Sequence, residues 1–369
     1  MVPFPDNRNL KVMPKPPAPT GGDTRRRFEQ WVQNPTCEAN TVSAVHGVKM
    51  SDVVKHEGGE PTMGQSPFAL ARGLQFERIL FRRDAATLIE ALVKAGVLSQ
   101  GSSGFVDLRL RLNGGRSRTL AEARSSTADL LRNAVAHPKR APAVVAGATV
   151  VIPGGVMLPE ALLVLDVLAL RPGSDKLELL VGEIKTYPDR AGYTDPRELS
   201  TARAQAGVYL HGLELVLADL GLSNAFTVSR QGFLVLSRPG SNQPSIRASE
   251  DLQFQAERAR RGFDLLRKAA ALIDPLPDPQ GESGYRAVVE AKSEFDETCL
   301  SFCDRAPLCR AKAMAAGNPA VLGHDIARFL GGILLPRGVA LLQGAQPTTD
   351  AEKDLVRRMR DAKQRLGAP

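Results

Sequence analysis

The sequence predicts an α/β protein whose sheet lies in the middle of the chain, with helices before and after it. Three observations carry this. Residues 68–98 and 119–137 repeat apolar side chains at helical spacing. Residues 141–153, 160–172 and 176–188 are three successive strand-like apolar runs, and RPGSDK between the last two has the composition of a tight turn. Residues 195–221 and 250–273 return to helical spacing, around a further strand or two in FTVSRQGFLVLSRPG.

Taken in order, residues 1–24 hold six prolines and few apolar side chains and are expected to be a mobile tail. RRRFEQWVQNPTCEAN follows, with the single Trp and the first Cys, and KHEGGEPTMGQSP is a looser segment after it. The helical stretch 68–98 reads as two helices meeting near Arg83–Asp84, and Pro138 closes the helix at 119–137. The expected division is a tail at 1–24, a helical N-terminal region at 25–140, an α/β core at 141–275, a cysteine-bearing segment at 276–315 and a helical C-terminal region at 316–369.

With 369 residues, 43% apolar and 24% charged, the chain has the balance of a globular protein of one large or two ordinary domains, and disordered and fibrous classes are excluded. A net charge of +8 fits a polyanionic partner, nucleic acid before an anionic membrane, but alone it decides nothing. The first residues lack the apolar segment of a signal peptide. The most apolar run, 151–170, is interrupted by Pro153, Pro159, Glu160 and Asp166. A cytoplasmic location without membrane contact is expected.

The chemistry concentrates in the strand-like runs. Asp166 stands among apolar residues in LLVLDVLAL, where an unpaired carboxylate is costly. In LLVGEIKTY the period of two puts Glu183 and Lys185 on one face. A hairpin between the two runs brings Asp166 beside Glu183. Two such carboxylates repel unless a cation lies between them, and hard oxygen ligands suit Mg²⁺ or Mn²⁺. Lys185 then stands where it can hold a water aimed at a phosphate. Gln205 and Tyr209, four residues apart in the following helix, share a face. Upstream, Glu77 follows Gly73 by four residues in ARGLQFERILF.

The four cysteines are Cys37, Cys299, Cys303 and Cys309, three of them within CLSFCDRAPLC. In a cytosolic protein that clustering reads as a ligand set rather than disulfides. Four thiolates hold Zn²⁺ or an iron–sulfur cluster, and spacing does not separate the two. His46, His56, His137, His211 and His324 form no metal-spaced pair. Tyr187 and Arg190 are candidate substrate contacts, LFRRD and VRRMRDAKQRLG add basic helical surface, and GGILLPRGVALL is an apolar patch that packs on the core or faces a partner.

In this order (Cys, helix Glu, strand Asp, Glu-x-Lys, Gln-x-x-x-Tyr, three Cys) the chain resembles the PD-(D/E)XK nuclease superfamily over about residues 31–315. Within it the chain is similar to the RecB-like branch with a four-cysteine iron–sulfur cluster, such as the CRISPR-associated RecB-like exonucleases and the AddB nuclease domain. The resemblance implies a restriction-endonuclease-like core with a helical N-terminal insertion and a C-terminal cysteine subdomain. It implies Mg²⁺ or Mn²⁺ on Asp166, Glu183 and the Ile184 carbonyl, with Glu77 where many members carry His. Lys185 would orient the attacking water, and Gln205 and Tyr209 would position the DNA strand. A [4Fe–4S] cluster, or Zn²⁺ in its place, would tie Cys37 to Cys299, Cys303 and Cys309. Two departures are visible: three residues rather than two separate Cys299 from Cys303, and Glu38 follows the first Cys where Pro is common. The implied function is a DNA nuclease, an exonuclease on single strands or DNA ends, in repair, CRISPR or phage defence, with a helicase or other DNA-processing protein as a further partner. The alternative is a non-catalytic DNA-binding iron–sulfur scaffold.

Overall fold

The structure, a computed structural model, describes residues 30–31, 34–61, 67–110, 118–152 and 161–365; the expected mobile tail at 1–24 lies outside them. Helices α1 (Glu38–His46) and α2 (Met50–His56) come first, then α3 (Pro67–Leu80) and α4 (Arg82–Lys94). The last two part where the sequence places the junction: Arg83, Asp84 and Ala85 have φ of 50°, 52° and 56°, a left-handed start that breaks the helical path. Strand β1 (Phe105–Asp107) follows, then α5 (Leu120–Ala136), which opens on a reciprocal capping box between Thr119 and Glu122.

Next come β2 (Val144–Ala146), β3 (Thr149–Ile152), β4 (Ala161–Val164), β5 (Val167–Pro172) and the twelve-residue β6 (Leu177–Pro188). Helix α6 (Pro196–Asp219), β7 (Phe226–Val228), β8 (Gln231–Ser237), β9 (Pro244–Asp251) and α7 (Gln253–Ala270) complete the core. Beyond it lie α8 (Glu282–Glu290), α9 (Cys299–Phe302), α10 (Ala306–Ala315), α11 (His324–Leu330), α12 (Leu335–Leu342) and α13 (Asp350–Arg365).

The central sheet is mixed, in the order β1-β2-β5-β6-β8-β9, with β7 beside the first residues of β6. β5 and β6 pair antiparallel, whereas β6 and β8 pair parallel. A parallel neighbour needs a long crossover, and α6 supplies it. Side chains of β6 alternate between two apolar layers. Leu179 and Val181 join the layer under α6 and α7, and Leu180 and Ile184 join the layer with Phe76 and Leu80 of α3 and Leu88 of α4. Helices therefore flank both faces, the α/β arrangement the sequence predicts.

Two glycines permit close approaches here. A Cβ on Gly182 would meet the Phe233 ring at 2.3 Å and Val167 at 2.6 Å, so the residue before Glu183 has no room for a side chain. A Cβ on Gly207, between Gln205 and Tyr209, would lie 2.4 Å from Gln255, and its absence lets α7 settle on α6.

The structure differs from the sequence reading in particular ways. The run at 160–172 is two strands, because β4 leaves the main sheet to pair with β3. The hairpin bonds continue through the break, Gly147 N–H to Leu165 O at 3.0 Å and Leu165 N–H to Ala148 O at 2.8 Å. Asp166 thus sits at a bend, half-buried, rather than inside a buried strand. β1 lies in the stretch read as helical, and the polar edge strand β9 went unread. The segment 276–315 is largely helical. The apolar patch at 331–342 packs in a small separate cluster, Leu330 and Leu341 against Leu355 of α13.

Candidate functional site

The β5–β6 register pairs Val167 with Gly182, so Asp166 stands level with Glu183 one place further along. The Ile184 N–H donates to Asp166 Oδ2 at 3.0 Å, which pins the carboxylate against β6. Glu183 is fully buried, and Lys185 Nζ lies 2.6 Å from its Oε1. A charge taken out of water in this way is tolerable only with a partner of opposite sign close by, and Lys185 is that partner.

Glu77 projects from α3 beside this pair. Burial, then the charge of Asp166, pushes its carboxyl up to about 7, while Arg109 and Lys185 act in the opposite direction. Arg109 Nη1 is 3.9 Å from Glu77 Oε2, and its guanidinium is held by Asp107 through two bonds of 2.9 and 2.6 Å and lies over the Phe81 ring. Asp107 and Arg109 went unremarked in the sequence; the alternation in FVDLRLRL, a strand signal, was the clue to them.

The structure puts Glu77 within electrostatic reach of Asp166 and Lys185, pairs Lys185 with Glu183, and gives Ile184 a direct bond to Asp166. Gln205 is buried on α6, and its Oε1 has no hydrogen-bond partner among the described residues. Tyr209 is fully buried within the layer that contains Leu179 and Val181, so it has no surface to offer a DNA strand and acts by packing. Tyr187 packs with Leu199 and Leu234, whereas Arg190 is exposed. Among the described residues no three His, Cys, Asp or Glu side chains converge as a group able to hold a metal ion.

The cysteines assemble elsewhere. Cys37, Cys299 and Cys303 lie in one apolar cluster with Val48, Val53, Val288 and Phe295, and Cys309 packs against it. Asn34 donates to Cys299 Sγ at 3.3 Å and to Glu294 O at 2.8 Å, bonds that span 265 and 260 residues of chain. Burial pushes the Cys303 thiol up to about 12, and those of Cys299 and Cys309 upward as well. Arg305, also buried, stands between the cysteines and Glu57, to which it donates at 2.6 and 3.0 Å. That contact holds the Glu57 carboxyl below its usual range.

A groove of about 300 Å³ opens beyond Lys185, between Arg72 and Phe76 of α3 and the turn at 238–242, with Thr186 and Pro188 at its floor. No helix among the described residues is long and apolar enough to cross a membrane. Comparison with family models, curated proteins and solved structures returns no match.

Proposed function

We propose that the protein is a metal-dependent deoxyribonuclease of the PD-(D/E)XK type, acting on single strands or DNA ends in the cytoplasm. The observation that carries this is the β5–β6 pairing, which sets Asp166 level with Glu183 while Lys185 bonds to the latter. The mixed sheet with helices on both faces agrees with a restriction-endonuclease-like core.

The donor set fits Mg²⁺ or Mn²⁺. Mg²⁺ keeps several waters and needs only one or two protein carboxylates beside substrate phosphates, so a two-carboxylate site suffices. Asp166 and Glu183 would hold the ion with the Ile184 carbonyl, while Glu77 feels the charge of Asp166 but does not converge with the two acids into one group. Bound there, the ion would supply positive charge to the phosphate under attack. Lys185, released from Glu183 when another cation takes its place, would turn its donors to the attacking water and keep it in line with phosphorus. As the water oxygen bonds to phosphorus it would give up a proton to solvent, the opposite P–O ester bond would break, and the departing oxygen would take up a proton from solvent. Gln205 would face the site with its amide, and Tyr209 would fix the helix that carries it.

The thiol pocket fits a metal centre by its donors. Four sulfurs gathered at one apolar cluster are the donor set of a [4Fe–4S] cluster, with Zn²⁺ as the alternative. Cys37, Cys299, Cys303 and Cys309 would hold it.

The test is cleavage of end-labelled single-stranded and duplex DNA with Mg²⁺ or Mn²⁺, running the wild type beside Asp166→Ala and Glu183→Gln. Cutting by the wild type alone is expected, with loss of at least about a hundredfold in the variants. Binding without cutting by the wild type would replace the nuclease with a DNA-binding scaffold.

A further inference from the structure

The groove beyond Lys185 has a chemical character of its own. Among the described residues its charged lining residues are Arg72, on α3, and Arg238, in the turn after β8, and no acid lines it. Around them stand neutral polar groups: Thr186, Ser241 and Asn242. The Ser237 hydroxyl is already committed, donating to Thr186 O at 3.1 Å and Tyr187 O at 3.3 Å, and so it closes the floor between β6 and β8. The turn wall is itself fixed by Arg238 N–H to Gln243 O at 3.0 Å and Ser241 N–H to Arg238 O at 3.1 Å, with Gly240 at φ 70°. Glu198 feels the charges of both Arg190 and Arg72, although burial, then Asp195, still pushes its carboxyl upward.

Two guanidinium groups lining a groove without acids suit an anion with planar pairs of oxygens, a phosphate above all. The groove starts at Thr186 and at Phe76, whose neighbour Glu77 feels the charges of Asp166 and Lys185, so it opens beside the acid–lysine site. Its volume of about 300 Å³ is at the small end of ligand pockets and admits a single nucleotide. A duplex, whose major groove alone is about 12 Å wide, does not enter a space of that size.

We propose that this groove is a subsite for one nucleotide of a single DNA strand, flanking the cleaved phosphodiester, with its phosphate held between Arg72 and Arg238. The proposal rests on the nuclease reading and adds the reason for a single-strand preference: the flanking nucleotide must leave a duplex to reach the arginines.

The test is fluorescence anisotropy with a labelled oligothymidylate and the full chain, without divalent metal so that nothing is cut. The variants are Arg72→Ala and Arg238→Ala, both at exposed positions where folding is insensitive. Each is expected to weaken single-strand binding by about tenfold and to lower the slope of log affinity against log salt by about 0.7, one phosphate's share. Thymidine monophosphate as competitor separates the sources. Displacement only by the oligonucleotide assigns the groove to a strand, and equal displacement by the mononucleotide overturns this in favour of a product site. Unchanged affinity and salt slope in both arginine variants would also overturn the proposal. If the wild type cuts DNA and the arginine variants bind and cut like it, the subsite alone fails. If nothing is cut yet binding depends on the two arginines, the nuclease reading fails and the subsite stands.

Discussion

Glu183 and Cys303 are both reactive groups withdrawn from water, at 0% and 6% exposure, and the protein surrounds them in opposite ways. Glu183 belongs to a local device. Asp166, Ile184 and Lys185 lie within one hairpin, and its charge is met at 2.6 Å by a cation two residues away. Cys303 belongs to a long-range one. Its pocket closes only when Cys37 and the Asn34 amide come back from more than 260 residues away, and burial pushes its thiol upward. The proposed catalytic group sits at the centre of the sheet. The thiol pocket straps residues 34–37 to 294–309, so on the proposed reading folding depends on it more than catalysis does.

The contrast is broken most directly at the strap. Structural thiolate sites contribute on the order of 10 kcal/mol to folding when metal is bound. If the pocket holds the proposed iron or zinc, Cys303→Ala is expected to lose it and to unfold at a much lower denaturant midpoint, losing several kcal/mol on that scale. Metal analysis and denaturant unfolding read both effects. Full metal content together with a wild-type midpoint would show that the pocket is only a cluster of buried thiols.

The catalytic side yields a smaller effect in stability. Lys185→Ala is the variant that reads it. Removing the cation at 2.6 Å leaves a fully buried carboxylate without it, at a cost of about 3 kcal/mol. The double variant Lys185→Met with Glu183→Gln removes the charge as well and is expected to recover most of that loss while staying inactive. Thermal unfolding of the two side by side decides it. Equal melting of Lys185→Ala and wild type would mean that Glu183 takes up a proton or water and that the pair is not coupled.

How much of this was legible in the sequence follows the same division. The Asp166–Glu183–Lys185 arrangement could be read because strand alternation and hairpin pairing are local rules, and the β5–β6 register bears out the expected neighbourhood of the two acids. The bend at Asp166 could not, because it arises where β3 and β4 turn away together, a choice made across the hairpin. Cysteine clustering announced the pocket, but the Glu57–Arg305 pair, 248 residues apart, left no trace in local spacing. That Gln205 and Tyr209 share a face was legible, but which layer that face packs into was not, and Tyr209 lies fully buried. Arg72 and Arg238 become neighbours only when α3 is laid beside the end of β8.

A third region sharpens the comparison by lying outside both. In the C-terminal hairpin Glu352 is gripped by Arg337 at 2.8 and 2.7 Å and by the Thr348 N–H at 2.6 Å. The Arg337 bonds first, and the Thr348 N–H next, hold its carboxyl well below the usual glutamate range. A depressed pKa in the folded state means that the stabilisation is fully present above the ordinary glutamate pKa. It is lost as pH falls below that value toward the lower folded one. Acidification is therefore expected to loosen α12 and α13, read as faster amide exchange in those helices, and Glu352→Gln should remove the pH dependence. Amide exchange in β6 serves as the internal reference, because the sheet centre opens only with the whole molecule. Loosening of β6 and α13 together would mean that the hairpin is bound into the core's cooperative unit, and its separate cluster of Leu330, Leu341 and Leu355 argues for the opposite outcome.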